Sequence, residues 1–188
     1  MAFDSRAIAN HFLDLADRRG ELLSSMKLLK ILYFAHAWHL AKYQEPLVGQ
    51  PFEAWKHGPV NRAVYDQIKV YKNQKITGRL KVIDVFSGEF VDAKCVLDSE
   101  KSTFLENIYS YYYSFHPYKL SDLTHEPGSP WDTVWRAAEE RSVPGMLIPD
   151  ALILEWFVKA RRTMYVRGNK ERTDDSLDCT PIGRGYSS

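Results

Sequence analysis

"MKLLKILYFAHAWHLAKY", residues 26–43, decides the fold. Its apolar residues Leu28, Leu29, Ile31, Leu32, Phe34, Ala35, Trp38 and Leu40 lie on every side of a helix, and a helix apolar all round is usually central in its domain. The run is nearly long enough to span a bilayer, but Lys27, Lys30, His36, His39 and Lys42 interrupt it. Each mid-helix lysine costs ~2.5–3.5 kcal/mol on insertion scales, so the pattern predicts a buried helix of a water-soluble domain. Ser24 or Ser25 is placed to cap its start.

Working outward, Ile8, His11, Phe12, Leu15 and Ala16 predict a helix over 4–19 that Gly20 ends. Residues 46–57, with two prolines and Gly49, read as a turn and a short extended piece. The segments "RLKVIDVF" and "EFVDAKCVL", split by Ser87-Gly88, predict a hairpin within 76–97. Phe104, Leu105, Ile108, Tyr109, Tyr112 and Phe115 predict a helix over 99–114, and Leu120 and Leu123 a short one after Pro117. "SPWDTVWRAAEER" starts another, with Ser129 as cap, Pro130 in the first helical position and Asp132 completing a capping box. Pro149 opens a last helix. The fold class is therefore α+β and predominantly α-helical: a central buried helix surrounded by helices, with a small β-hairpin or short antiparallel sheet.

The chain of 188 residues fits one domain, taken as 1–167, with 168–188 expected as a flexible C-terminal tail. A net charge of +1 supplies no global field toward nucleic acid or anionic membrane. The basic cluster from Lys159 to Arg172 reads as helix-dipole complement and solvated tail, so nucleic acid is not the expected partner. Cys95 and Cys179 are far apart and read as free thiols in a reducing compartment. The start of the chain lacks a basic patch followed by an apolar run, so the expected location is cytoplasmic, without a membrane partner.

Candidate chemistry is sparse. His36 and His39 share one side of a helix, but no glutamate sits beside the first as in a catalytic zinc helix, so packing is the favoured reading. "THEPGSPWD" brings His125, Glu126 and Asp132 near one another, yet a turn leading into the capped helix accounts for its Pro and Gly. Nucleophile elbows, phosphate loops and dinucleotide fingerprints are missing. Accordingly no catalytic residue, metal ligand or cofactor is assigned. The alternative is an enzyme or metal-binding protein using His36, His39, His57 and His125. Eleven Tyr, nine Phe and five Trp exceed what a core this size needs, and Tyr111 and Tyr113 are the candidates for a surface patch.

"PFEAWKHGPVNRAVYDQIK", residues 51–69, carries the site. Pro59 is read as the first residue of a helix over 59–71, followed by Val60, Val64, Ile68 and Tyr71. Lys56 and His57 would then precede a helix N-terminus with Arg62 one turn in, a setting for a partner carboxylate or a phosphate. The plainer reading is a corner, with Gly58 for an unusual φ and Trp55 packed beneath.

"MKLLKILYFAHAWHLA", "PFEAWKHGPVNRAVYDQIK" and "LSDLTHEPGSPWDTVW", in that order, resemble the SocA-like Panacea domain family of bacterial and phage proteins. There a K-L-x-K-L-L-Y-x-A-x-x-W helix precedes an E-A-W-x-x-G-P-V turn. The positions that match are Lys27, Leu28, Tyr33, Trp38, Glu53, Ala54, Trp55, Gly58, Pro59, Val60, Tyr65, His125, Pro130 and Trp131. Leu29 stands where members often have glutamine, and His57 where an aromatic is common. The resemblance implies a mainly helical antitoxin that neutralises a cognate toxin protein by direct contact, with no established enzyme activity. The expected partner-binding residues are Trp55, Lys56, His57, Gly58, Pro59, Val60, Arg62, His125 and Trp131.

Overall fold

The computed structural model describes residues 1–72, 74–141 and 146–168, with the side chains of 140, 141 and 161–168 left aside. The expected tail, from residue 169 on and including Cys179, lies outside the described residues. Helix α1 (Ser5–Arg18) begins at Asp4, whose carboxylate accepts the Arg6 N–H. Helix α2 (Ser25–Tyr43) begins at Ser24, whose hydroxyl accepts the Lys27 N–H at 3.4 Å, and ends at Gln44 in the left-handed region. Both caps satisfy backbone groups that a helix end leaves open.

Helix α2 is buried on every side, from Leu28 and Leu29 through Phe34 to Leu40, as its all-round apolar pattern requires. It packs against α1, α3 (Arg62–Ile68), α4 (Ser99–Tyr113), α5 (Pro117–Thr124) and α7 (Asp150–Gly168). Phe34 stacks on Tyr112 with ring centroids 4.2 Å apart, and the Trp38 indole N–H donates to the Tyr112 hydroxyl at 2.7 Å. Much of the aromatic surplus is therefore interior. Tyr111 and Tyr113 do not form the expected surface patch: both are half-buried against the core, and the Lys27 ammonium covers the Tyr113 ring.

One antiparallel sheet, in the order β2-β1-β5, lies against α2. It comprises β1 (Phe52–Trp55), β2 (Gly58–Asn61) and β5 (Met146–Ile148). Trp55 pairs with Gly58 and Ala54 with Pro59, while Phe52 pairs with both Asn61 and Ile148. The helix expected over 59–71 is thus corrected: residues 58–61 are a strand, Asn61 caps α3, and the helix proper starts at Arg62. Pro59 is accommodated because β2 is an edge strand, where a missing N–H costs no ladder bond. A second hairpin, β3 (Lys81–Ile83) with β4 (Phe90–Asp92), stands apart from this sheet. Helix α6 (Pro130–Arg141) follows α5 and precedes β5 in the chain. No helix among the described residues is long and apolar enough to cross a membrane.

Candidate functional site

The Trp55-Lys56-His57-Gly58 corner is the tip of the β1–β2 hairpin. Its left-handed residue is Gly58, with φ of 99°, so Lys56 and His57 need no positive φ. A Cβ on Gly58 would collide with the Lys30 ammonium and, at 2.5 Å, with the Thr124 hydroxyl, so close approach demands glycine as well.

Side chains from three helices grip the hairpin by its backbone carbonyls. The Trp131 indole N–H of α6 donates to Trp55 O at 2.7 Å, and the Ser121 hydroxyl of α5 donates to His57 O at 3.0 Å. The Lys30 ammonium of α2 donates to Pro59 O at 3.1 Å. His125 adds a longer contact, its Nε2 lying 3.4 Å from Lys56 O, while its Nδ1 donates to Ser121 O at 2.6 Å. Its ring meets the Trp131 indole edge-on with centroids 3.8 Å apart, and Trp131 stacks in turn on Trp135.

These positions follow from local structure. His125 terminates α5, and the Ser129 hydroxyl both donates to Thr124 O and accepts the Asp132 N–H at the start of α6. The Asp132 carboxylate reaches Gly128 N, one residue before the cap position that a strict capping box would use. Asp132 also accepts from Arg136 one turn on.

Lys30 is only 2% exposed, and no carboxylate among the described residues forms an ion pair with it. Desolvation disfavours its charged form and pushes its pKa down to about 7. Ser121, Thr124 and Lys30 superficially suggest a hydroxyl–amine catalytic set. Each of the three donates to a backbone carbonyl, Thr124 to Ser121 O, so this arrangement holds the chain.

The expected site residues therefore divide. Gly58, Pro59, Val60 and Trp131 are buried and His125 is half-buried, forming the inner support. Lys56, His57 and Arg62 are exposed. Trp55 is half-buried, its indole N–H on the Glu53 carboxylate at 2.8 Å and its ring edge-on to Tyr65. The anion setting read ahead of Pro59 does not exist, because Lys56 and His57 sit in a strand-to-strand turn and Arg62 pairs with Asp66. Sequence reading missed Lys30, Ser121 and Thr124. The one available signal was Lys30, a cation inside a helix with no polar face.

The other histidines serve separate partners. His36 accepts the Val48 N–H on Nδ1 and donates from Nε2 to Asp150 at 3.0 Å. His39 donates from Nδ1 to Glu45 O at 2.7 Å, leaving a buried Nε2 without a partner among the described residues, and burial lowers its pKa. Among the described residues, no three or more His, Cys, Asp or Glu side chains gather where they would hold a metal ion.

The family model for the antitoxin SocA-like Panacea domain matches residues 28–132, from the central helix to the α6 cap. Antitoxin SocA of Caulobacter vibrioides (strain NA1000 / CB15N) is 31% identical over 154 residues, covering 82% of this chain and 82% of that protein. No solved structure matches the chain. The matched span holds Lys30, the β1–β2 hairpin, Ser121, His125 and Trp131 together, and on these grounds the chain belongs to the antitoxin SocA-like, Panacea-domain family.

Proposed function

We propose that this chain is an antitoxin that neutralises a cognate toxin protein by binding it directly, with the tip of the β1–β2 hairpin at the contact. The observation that carries the reading is the division of the turn. Its carbonyls are held from within by Trp131, Ser121 and Lys30, while Lys56 and His57 are left exposed. A loop fixed before binding loses little conformational entropy on docking, which favours affinity. Trp55 and Tyr65 supply the half-buried rings typical of contact anchors, and Lys56, His57 and Arg62 supply rim charge. Family membership and the name of the Caulobacter relative support the antitoxin role.

The test is growth rescue on co-expression with the product of the adjoining gene. The double variant Lys56→Glu/His57→Ala abolishes rescue with its melting temperature unchanged, whereas Arg18→Glu, an exposed substitution on α1, rescues fully. Full rescue by the double variant removes the hairpin tip from the contact.

A further inference from the structure

More than half of the exposed large hydrophobic side chains among the described residues fall between residues 83 and 96: Ile83, Val85, Phe86, Phe90, Val91 and Val96. They decorate the β3–β4 hairpin and its flank, and a patch of this kind marks an interaction surface. The hydrogen bonds show which edge is open. Asp84 N donates to Glu89 O and Ala93 N to Leu80 O, so in this register 84–89, 82–91 and 80–93 are the pairs whose backbone groups face inward, the outer two sharing one ladder bond each. The backbone groups of residues 81 and 83 on β3, and of 90 and 92 on β4, therefore point outward. On β3 the Gln67 amide blocks the edge, bonding both Lys81 N and Lys81 O. On β4 the outward N–H and C=O groups of Phe90 and Asp92 meet no protein partner among the described residues.

We propose that β4 pairs antiparallel with β4 of a second copy of this chain, about a two-fold axis through Val91. The parity of the edge is compatible with this register. Phe90 pairs with the partner's Asp92 and Asp92 with the partner's Phe90, so every outward group of both residues enters a ladder bond. No like charges stand directly opposite: Glu89 faces the partner's Ala93, and Asp92, already paired with Lys81 at 3.6 Å, faces an aromatic ring. The register centred one residue on would set Asp92 against the partner's Asp92, which is destabilising. On one face Val91 meets its own copy, extending the Val82–Val91 cross-strand pair into a row of four valines. On the other, Phe90 comes within diagonal reach of the partner's Phe90, covering rings that are 68% exposed in the single chain. Strand addition of this kind also removes an open edge, which soluble proteins otherwise protect.

The experiment is the solution mass of the full chain by light scattering and sedimentation over a wide concentration range. Wild type runs at twice the 21.8 kDa chain mass. Val91→Lys alone and Val91→Glu alone run at the single mass, and an equal mixture returns to the double mass with both chains present, because residue 91 faces itself. Phe90→Pro, which deletes an outward N–H and no β3–β4 bond, also runs at the single mass, so the idea does not depend on the Val91 variants folding. A wild-type chain that is monomeric throughout overturns the pairing, as do Val91 variants that stay dimeric or a mixture that fails to reassemble. A monomer that loses toxin binding on Phe90→Asp likewise overturns it, giving the edge to another polypeptide.

Discussion

The two hairpins of this protein are built from similar lengths of chain and are used in opposite ways. In β1–β2 every residue of β2 is buried, and side chains from α2, α5 and α6 bind carbonyls of β2, the turn and β1 respectively. In β3–β4 all three residues of β4 are exposed. That hairpin is moored by the Asn10 side chain, which bonds Leu80 and Ala93, and by Gln67. Long-range side-chain donors reach the turn of the first hairpin, whereas in the second they hold only its base and the β3 edge, and β4 presents apolar surface. Fixing a loop from within costs buried polar groups, and Lys30 is where that cost concentrates.

The contrast breaks most visibly at Lys30. Its pKa falls from 10.5 to about 7 on folding, so between those values the unfolded chain binds more protons and stability rises with pH. Below the lower value both states carry the proton and the full penalty remains. Urea unfolding of wild type across pH 7 to 10 gains up to about 4 kcal/mol relative to Lys30→Met, in which this dependence is absent. Parallel profiles would show that Lys30 is not a buried cation.

Gly58→Ala comes next, since it forces a side chain into positive φ and against Lys30 and Thr124. It costs about 3 kcal/mol in denaturant unfolding. By contrast Gly88→Ala, where a Cβ meets nothing within 4 Å, pays only the positive-φ cost of about 1–2 kcal/mol. Trp131→Phe leaves Trp55 O without its donor and costs about 1–3 kcal/mol by the same assay. Phe86→Ser at the tip of the second hairpin, 96% exposed, changes stability by less than about 0.5 kcal/mol. Should Phe86→Ser prove as costly as Trp131→Phe, the two hairpins would not differ as described.

Local signals carried most of the helices. The expected helix over 26–43 is α2 within one residue, and that over 4–19 is α1 within one residue at each end, because their caps and periodicity are local. The corner at Gly58-Pro59 was misread for a physical reason. Pro59 is compatible with a first helical turn and with an edge strand, and the choice is made by β1 and by Lys30, 29 positions away in sequence. Strand β5 offers only Met146-Leu147-Ile148, too short for an alternation, and exists through its pairing with Phe52, Glu53 and Ala54. At the site, Lys56 and His57 are exposed. The resemblance picked out His125 and Trp131, but their inward task is visible only once α5 and α6 are folded against the turn.

On the function proposed above, the inside of the β1–β2 turn is fixed so that its outside can bind a toxin. The most direct test is the affinity of purified chain for the product of the adjoining gene, measured for wild type and for Lys56→Glu/His57→Ala at matched melting temperature. The double variant is expected to bind roughly a hundredfold more weakly, as when contact residues are reversed in charge or removed. Unchanged affinity, with the fold intact, would contradict it.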